Sequence, residues 1–197
     1  PALAAVMNGD YWLDTRFTLE ARVIDSEGTT GAEHMALNDA VLHKGGFARV
    51  IRLAILLGEE REEVGEYSAD GIIIATPTGS TAYSLSAGGG IVAPQMECIL
   101  ATPICPHTLA VRPLVLPADT QVEVEIREPN AEVVLTVDGQ EGEALRNGDR
   151  LVVINSYPYG AYTDLAGPEA RERAETLERM IRVGWGERNA AFREVFG

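Results

Sequence analysis

The 197-residue sequence holds a single lysine, Lys44, and only two cysteines, Cys98 and Cys105. The cysteines lack a Cys-x-x-Cys spacing and the cluster of His and Cys ligands that a zinc ion needs, which argues against zinc. They read as a reduced, buried pair, as in a cytoplasmic protein. No uninterrupted apolar run approaches the ~18 residues that a membrane-spanning helix requires, and no basic stretch followed by a hydrophobic one marks a secretion signal. Basic charge is also scarce: 16 Lys and Arg against 30 Asp and Glu leave a formal net charge of −14. A field of that sign repels nucleic acid and anionic membranes, so neither is an expected partner. Two phosphate-binding patterns are missing as well. There is no G-x-x-x-x-G-K-[ST], and no G-x-G-x-x-G follows a strand-like run, so neither a P-loop nor a Rossmann motif is expected. The first residue is proline rather than an initiator Met, and a further portion is expected upstream.

What is present suits a β-rich fold. Hydrophobic residues make up 46%, enough for a packed core, and 20 Gly and 10 Pro suggest many short strands joined by turns. Residues 16–24 alternate, with Phe17, Leu19, Ala21 and Val23 on one face. After a Ser-Glu-Gly-Thr-Thr-Gly turn comes one strand-like run through Met35-Ala-Leu and Ala40-Val-Leu. Residues 47–57 fit a strand and, almost as well, a helix; residues 59–66 are acidic and read as an exposed turn. Gly71-Ile-Ile-Ile-Ala-Thr reads as a buried strand stopped by Pro77, followed by a loop that enters a short helix near Ser80. Further strands are predicted over 98–104, 109–116, 121–127, 132–138 and 150–154, with Arg146-Asn-Gly-Asp149 as a hairpin turn. From Pro168 the spacing of Ala170, Ala174, Leu177 and Ile181 predicts a terminal helix closed by Gly184. The predicted organisation is a β-rich ligand-binding domain over 1–160 and a helical tail over 161–197.

Four segments could carry chemistry. Asp70 to Ser86, DGIIIATPTGSTAYSLS, with Ala87-Gly-Gly-Gly behind it, is a strand running through a Gly/Ser/Thr loop into a helix. Such a loop offers free N–H groups, hydroxyls and a positive helix end to a phosphate. Gly79 is expected to adopt an unusual backbone angle, and Gly88, Gly89 and Gly90 to let a ligand approach the main chain. As composition alone, such a loop is about as often structural as functional. The pair Asn38-Asp39 offers amide and carboxylate atoms for a base edge, sugar hydroxyls or a metal-bound phosphate, although Asn-Asp is more often a turn or cap. Thr102-Pro-Ile-Cys-Pro-His-Thr-Leu-Ala-Val-Arg-Pro113 is a rigid connection in which His107 reads as a structural hydrogen-bonder. Val137-Asp-Gly-Gln140 reads as a strand-end turn whose Gln140 amide could meet a ligand amide.

In this order and spacing, ALND, DGIIIATPTGSTAYSLSAGG, TPICPHTLAVRP and VDGQ resemble the C-terminal portion of bacterial NAD kinases, over roughly residues 8 to 155. The resemblance implies a mainly β, β-sandwich-like domain with a short inner helix and a C-terminal helix, the family's preceding α/β domain being absent. It implies transfer of a phosphate from ATP or polyphosphate, with Mg²⁺, to the 2′-hydroxyl of the adenosine ribose of NAD, giving NADP. Asn38 and Asp39 match the family's Asn-Glu/Asp pair that contacts NAD. Asp70 matches an Asp that reaches the nicotinamide end of a dinucleotide held by a neighbouring subunit. Thr81, Ala82, Tyr83, Ser84, Leu85 and Ser86 match the adenosine-binding loop, with Tyr83 packing on the ligand. Cys105 stands where the family has a variable small or apolar contact, Gln140 matches a polar residue of the same pocket, and Arg49 corresponds more loosely. A homo-oligomer, dimer or tetramer, with shared sites follows from the same resemblance.

Three departures limit it. Ser68 stands where some relatives carry a basic residue, and residues 157–179 fit the family poorly. The Gly-Gly-Asp-Gly-Thr motif is nowhere in the sequence. Its Asp is the family's proposed general base, so no catalytic residue is expected in this chain and the chain alone is expected to be inactive. The rival readings are a non-catalytic NAD(P)-binding regulatory module and a lipid kinase of the diacylglycerol or sphingosine type. The net charge opposes the latter.

Overall fold

The structure, a computed structural model, describes residues 16–45, 50–108, 110–128 and 132–156. Twelve strands are formed within them: β1 (Leu19–Ile24), β2 (Thr30–Ala36), β3 (Asp39–Lys44), β4 (Ile51–Leu57), β5 (Glu62–Ala69), β6 (Gly71–Ala75), β7 (Cys98–Ile104), β8 (Leu114–Pro117), β9 (Val122–Ile126), β10 (Val133–Val137), β11 (Gln140–Leu145) and β12 (Arg150–Asn155). A 3₁₀ turn (Gly79–Thr81) and a one-turn helix, α1 (Tyr83–Ser86), follow β6. The strands make two six-stranded sheets, ordered β2-β1-β12-β9-β4-β5 and β11-β10-β3-β6-β7-β8, with antiparallel pairing throughout. This is the mainly β architecture expected. The predicted terminal helix, the domain boundary near 160 and Arg49 lie outside the described residues.

One core joins the two sheets. Leu19, Ala21 and Val23 of β1, Leu53 and Ile55 of β4 and Val122, Val124 and Ile126 of β9 meet Ala40 and Leu42 of β3, Ile72 and Ile74 of β6 and Ile99 and Ala101 of β7. Each set takes alternate positions of its strand, as a pleat with one inward face requires. The second sheet has an additional layer. Val41, Ile73, Ala75, Cys98, Leu100 and Ile104 form a separate cluster on its outer face, with Ala87 and Val92 packed against it. Strand β6 is therefore buried on both faces, which is why Ile72, Ile73 and Ile74 run without a polar interruption. Burying each is worth about 1.5–3 kcal/mol.

Several expectations are corrected. The run through 35–42 is two strands in different sheets, β2 and β3, and the chain crosses between them at Leu37-Asn38. Of the two readings of residues 47–57, the strand is the one formed where described, as β4, because Leu53 and Ile55 must alternate into the core. The acidic stretch 59–66 is a turn only to Arg61; from Glu62 it is β5, an edge strand paired with β4 alone. Only Tyr67 and Ala69 of β5 are buried, so its outer half has no hydrophobic alternation to display. The strand expected over 109–116 forms later, as β8. Arg146-Asn-Gly-Asp149 is not a hairpin turn, since it carries the chain from β11 in one sheet to β12 in the other. The hairpin lies at Asp138-Gly139, with φ of 49° and 73° between the paired Val137 and Gln140. Positive φ at both central residues is the signature of a two-residue hairpin turn.

Candidate functional site

The site is built at one end of the second sheet, where β3 begins and β6 ends. Asp39 and Ala75 are paired across these strands, so the Leu37-Asn38 crossing lies beside the loop that leaves β6. Thr76 fastens the two together. Its N–H donates to the Asn38 carbonyl (2.9 Å) and its hydroxyl donates to the Leu37 carbonyl (2.6 Å). The same hydroxyl accepts the Gly79 N–H at 3.0 Å. Gly79 has no positive φ, contrary to the expectation. It is required for proximity instead, since a Cβ there would lie 2.0 Å from the Asn38 carbonyl oxygen.

A third segment closes on the same point. The Asp138 carboxylate accepts the N–H groups of Leu37 (2.8 Å), Asn38 (2.7 Å) and Asp39 (3.1 Å). Its own N–H donates to the Asp39 carbonyl at 3.0 Å. Asp39 is almost fully buried, 5% exposed, on the outer face of the sheet. Burial, and secondly the nearby Asp138 charge, push its carboxyl up to about 6. Asp138 is satisfied by its three N–H donors, whereas the Asp39 carboxyl is poorly neutralised from within, and ligand hydroxyls or amides would relieve it.

The loop after β6 divides into an anchored and a presented side. Ser80 and Ser84 are fully buried. The Ser80 hydroxyl donates to the Val92 carbonyl (3.2 Å) and accepts the Val92 N–H (3.1 Å). The Ser84 hydroxyl meets that of Thr102 on β7 at 2.9 Å. Gly89 packs over this pair so closely that a Cβ would stand 2.3 Å from the Ser84 hydroxyl oxygen, so here glycine admits a neighbouring side chain rather than a ligand. Thr81, Ala82, Tyr83, Leu85 and Ser86 are exposed, with Tyr83 at 47% and Leu85 at 41%. The Thr78 hydroxyl is covered and has no hydrogen-bond partner. At a single turn, α1 aligns too few peptides for an appreciable dipole. The donors this loop could offer an anion are therefore its N–H groups and hydroxyls.

Asp70 and Cys105 lie elsewhere. Asp70 joins β5 to β6 at the opposite end of the sheet, where its N–H donates to the Ile104 carbonyl at 2.9 Å. Lys44 donates to the Asp70 carboxylate at 2.7 Å. Cys105 follows β7 at that end, exposed and with φ of 46°, so it does not form a buried pair with Cys98. Six residues of extended chain along β6 set Asp70 about 20 Å from Thr76. Gln140 is exposed beside the Asp138 turn, and its pairing with Val137 places it on the face opposite Asp39. His107 makes a structural contact, its N–H donating to the Ser68 carbonyl at 2.9 Å. Among the described residues no three His, Cys, Asp or Glu side chains gather to hold a metal ion, and no helix is long and apolar enough to cross a membrane.

The structure thus unites Asn38, Asp39 and the loop 76–86, and it adds Thr76, Thr78 and Asp138, which sequence reasoning did not single out. Asp138 was hidden because VDG reads as a turn; only its φ and its reach across 100 residues reveal the carboxylate's work. Residues 37–163 match the model of the ATP-NAD kinase C-terminal domain. An NAD kinase of Gemmatimonas aurantiaca is 51% identical over 145 residues, covering 74% of this chain and 50% of that protein. The crystal structure of yeast NADH kinase complexed with NADH superposes with a TM-score of 0.73 at 38% identity, covering 79% of this chain and 45% of that one. The crystal structure of an NAD kinase from Archaeoglobus fulgidus in complex with ATP gives 0.58 at 26% identity, over 79% and 55%. The chain spans about half the length of the curated relatives it matches.

Proposed function

This chain belongs to the ATP-NAD kinase C-terminal domain family, and on that premise we propose that it binds and positions NAD for phosphorylation at the 2′-hydroxyl of its adenosine ribose. The observation that carries the proposal is the union of three distant segments at one sheet end by Thr76, Gly79 and Asp138. Asn38 and Asp39 present amide and carboxylate atoms suited to the ribose and base. The exposed ring of Tyr83 and the Leu85 side chain offer the apolar surface on which an adenine packs. Holding the acceptor oxygen against a donor phosphate in this way contributes several kcal/mol to such a transfer.

The donor, in this reading, is ATP or polyphosphate. The phosphates themselves carry the Mg²⁺, a hard cation that prefers phosphate oxygens and water to a protein cage and neutralises charge during transfer. Asp70 and Cys105, about 20 Å along β6 from the loop, serve the dinucleotide of a neighbouring copy, with Lys44 orienting the Asp70 carboxylate. That arrangement makes the working protein a homo-oligomer with shared sites. The general base is not drawn from this chain, which has no Gly-Gly-Asp-Gly-Thr run.

Calorimetric titration with NAD, together with an assay for NADP, tests the proposal. The chain is expected to bind NAD and to form no NADP from NAD and ATP. Asn38→Ala is expected to weaken binding at least about tenfold, the usual cost of one lost hydrogen-bonding group at a ligand, while its melting temperature stays put. Failure of the chain to bind NAD, or an Asn38→Ala protein that binds as well as the parent, would overturn it.

A further inference from the structure

The turn at Asp138-Gly139 demands less than it contains. A two-residue hairpin turn needs positive φ at both positions, which Asn or Gly satisfies as well as Asp. The carboxylate is required by what it reaches, three consecutive N–H groups at residues 37–39. We propose that Asp138 is the positioning residue of the adenosine site, shaping the Asn38-Asp39 turn through these N–H groups. The inference rests on the reading of Asn38 and Asp39 as dinucleotide contacts.

Asp138 also acts on the Asp39 carboxyl through its charge, and the surroundings of Asp39 make this coupling effective. Strand β6 sets Ala75 opposite it and Thr76 next in the chain. Strand β10 sets Val137 beside Ala40 and Thr136 beside Val41, and the next strand sets Glu141 beside Thr136. On β7 the outer face carries Leu100, Thr102 and Cys98, whose thiol is pushed up by burial. The helix α1 carries Tyr83, and His43 stands at the far end of β3. Among the described residues no cation pairs with Asp39, so its two dominant influences are burial and Asp138. A dinucleotide whose hydroxyls donate to Asp39 needs the ionised carboxylate, and Asp138 makes that form harder to reach as pH falls.

The test uses the 197-residue chain carrying ¹³C-carboxyl aspartate, with Asp39→Asn identifying the Asp39 resonance. In the parent this resonance is expected to titrate near pH 6. Asp138→Asn keeps the left-handed turn and removes the charge, and the Asp39 midpoint is expected to move about one pH unit lower. Calorimetric NAD titrations between about pH 5 and 8 supply the second readout. Affinity of the parent is expected to fall below about pH 6. That of Asp138→Asn is about tenfold weaker at pH 8, since an amide oxygen cannot satisfy three donors, and its acid limb moves to lower pH. Unchanged affinity, an unmoved Asp39 midpoint, or a uniform loss with the acid limb in place would each overturn the proposal. A parent chain that ignores NAD at every pH would overturn the site reading itself. The carboxyl midpoint, which needs no ligand, tells that outcome apart from a failure of Asp138.

Discussion

Each sheet of the described structure buries one carboxylate on its outer face, and the two are treated in opposite ways. Glu123 of the first sheet, 3% exposed, receives the Arg61 guanidinium through Nη2 at 2.5 Å and Nε at 2.9 Å, with Arg150 Nε at 3.6 Å. Asp39 of the second sheet, 5% exposed, meets no cation among the described residues and faces another carboxylate. Around Glu123 the charges go on: Arg127 donates to Glu63, Glu66 and Glu125 at 2.9, 2.9 and 3.2 Å. Beside Asp39 stands Ala75, part of the apolar outer cluster that also holds Ile73 and Leu100. A buried charge answered within the fold serves the fold; one left unanswered at a loop cradle is available to a ligand. The family segments gather on the second sheet, which supports that distinction.

The sharpest way to break the comparison is at Gly79. A methyl group there must displace the Asn38 carbonyl, 2.0 Å away, and this is backbone that cannot swing aside. Gly79→Ala is expected to lower stability by about 3 kcal/mol, at the upper end of overpacking costs, and to abolish measurable NAD binding. Thermal melting and calorimetry check it. A Gly79→Ala chain that binds NAD normally would show that the two segments need not touch, and the contrast between the sheets would lose its functional half.

The two buried carboxylates should respond with opposite signs. Glu123→Gln strips charge from a paired site and leaves Arg61 and Arg150 without their acceptor, at an expected cost of about 1–3 kcal/mol, with NAD affinity unchanged. Asp39→Asn should stabilise. Folded, Asp39 holds its proton up to about pH 6, whereas the ordinary value is 3.8. Ionising it therefore opposes folding progressively from about pH 4 to 6, fully above that window and not at all below it. The gain in Asp39→Asn is expected to reach about 1–3 kcal/mol at pH 8 and to vanish near pH 4, since a tenfold change in proton affinity is worth about 1.4 kcal/mol, while NAD affinity falls. Denaturant unfolding at both pH values decides it. Two losses of equal size would mean that the carboxylates are equivalent.

How far the chain could be read in advance follows the same division. Strands β6 and β7 were legible because both faces are buried, so their apolar runs are uninterrupted. Strand β5 was not: six of its eight residues lie outside the buried set, and an edge strand with glutamates at Glu62, Glu63 and Glu66 reads as a turn. Gln140–Leu145 likewise escaped notice as β11, since only the pairing of Val133 with Leu145 and Thr136 with Glu141 makes it a strand. In the site, the ND pair and the loop after β6 were visible as local motifs. Thr76 and Asp138 were not, because their roles lie in contacts spanning 39 and 100 residues that no local pattern encodes. Separation of Asp70 from Asp39 along one sheet was equally a matter of register.

The smallest expected effect is on the first sheet, and it limits how much the ion-pair face matters. Arg127 has the most carboxylate partners there, three, and these hold its guanidinium well above the ordinary arginine range. Yet its side chain is 29% exposed, and Glu63 and Glu66 are 43% and 39% exposed, so solvent already screens each pair. Exposed pairs are worth about 0.2–1 kcal/mol. Arg127→Ala removes three such contacts and also relieves the order imposed on four long side chains, so the net loss is expected near about 1 kcal/mol rather than three times a single pair. The loss should shrink as salt is raised from about 0.1 to 1 M, where the screening length falls to about 3 Å. NAD affinity should not change. A loss of several kcal/mol that persists in high salt would show that this face holds the sandwich together as firmly as the buried outer face of the second sheet.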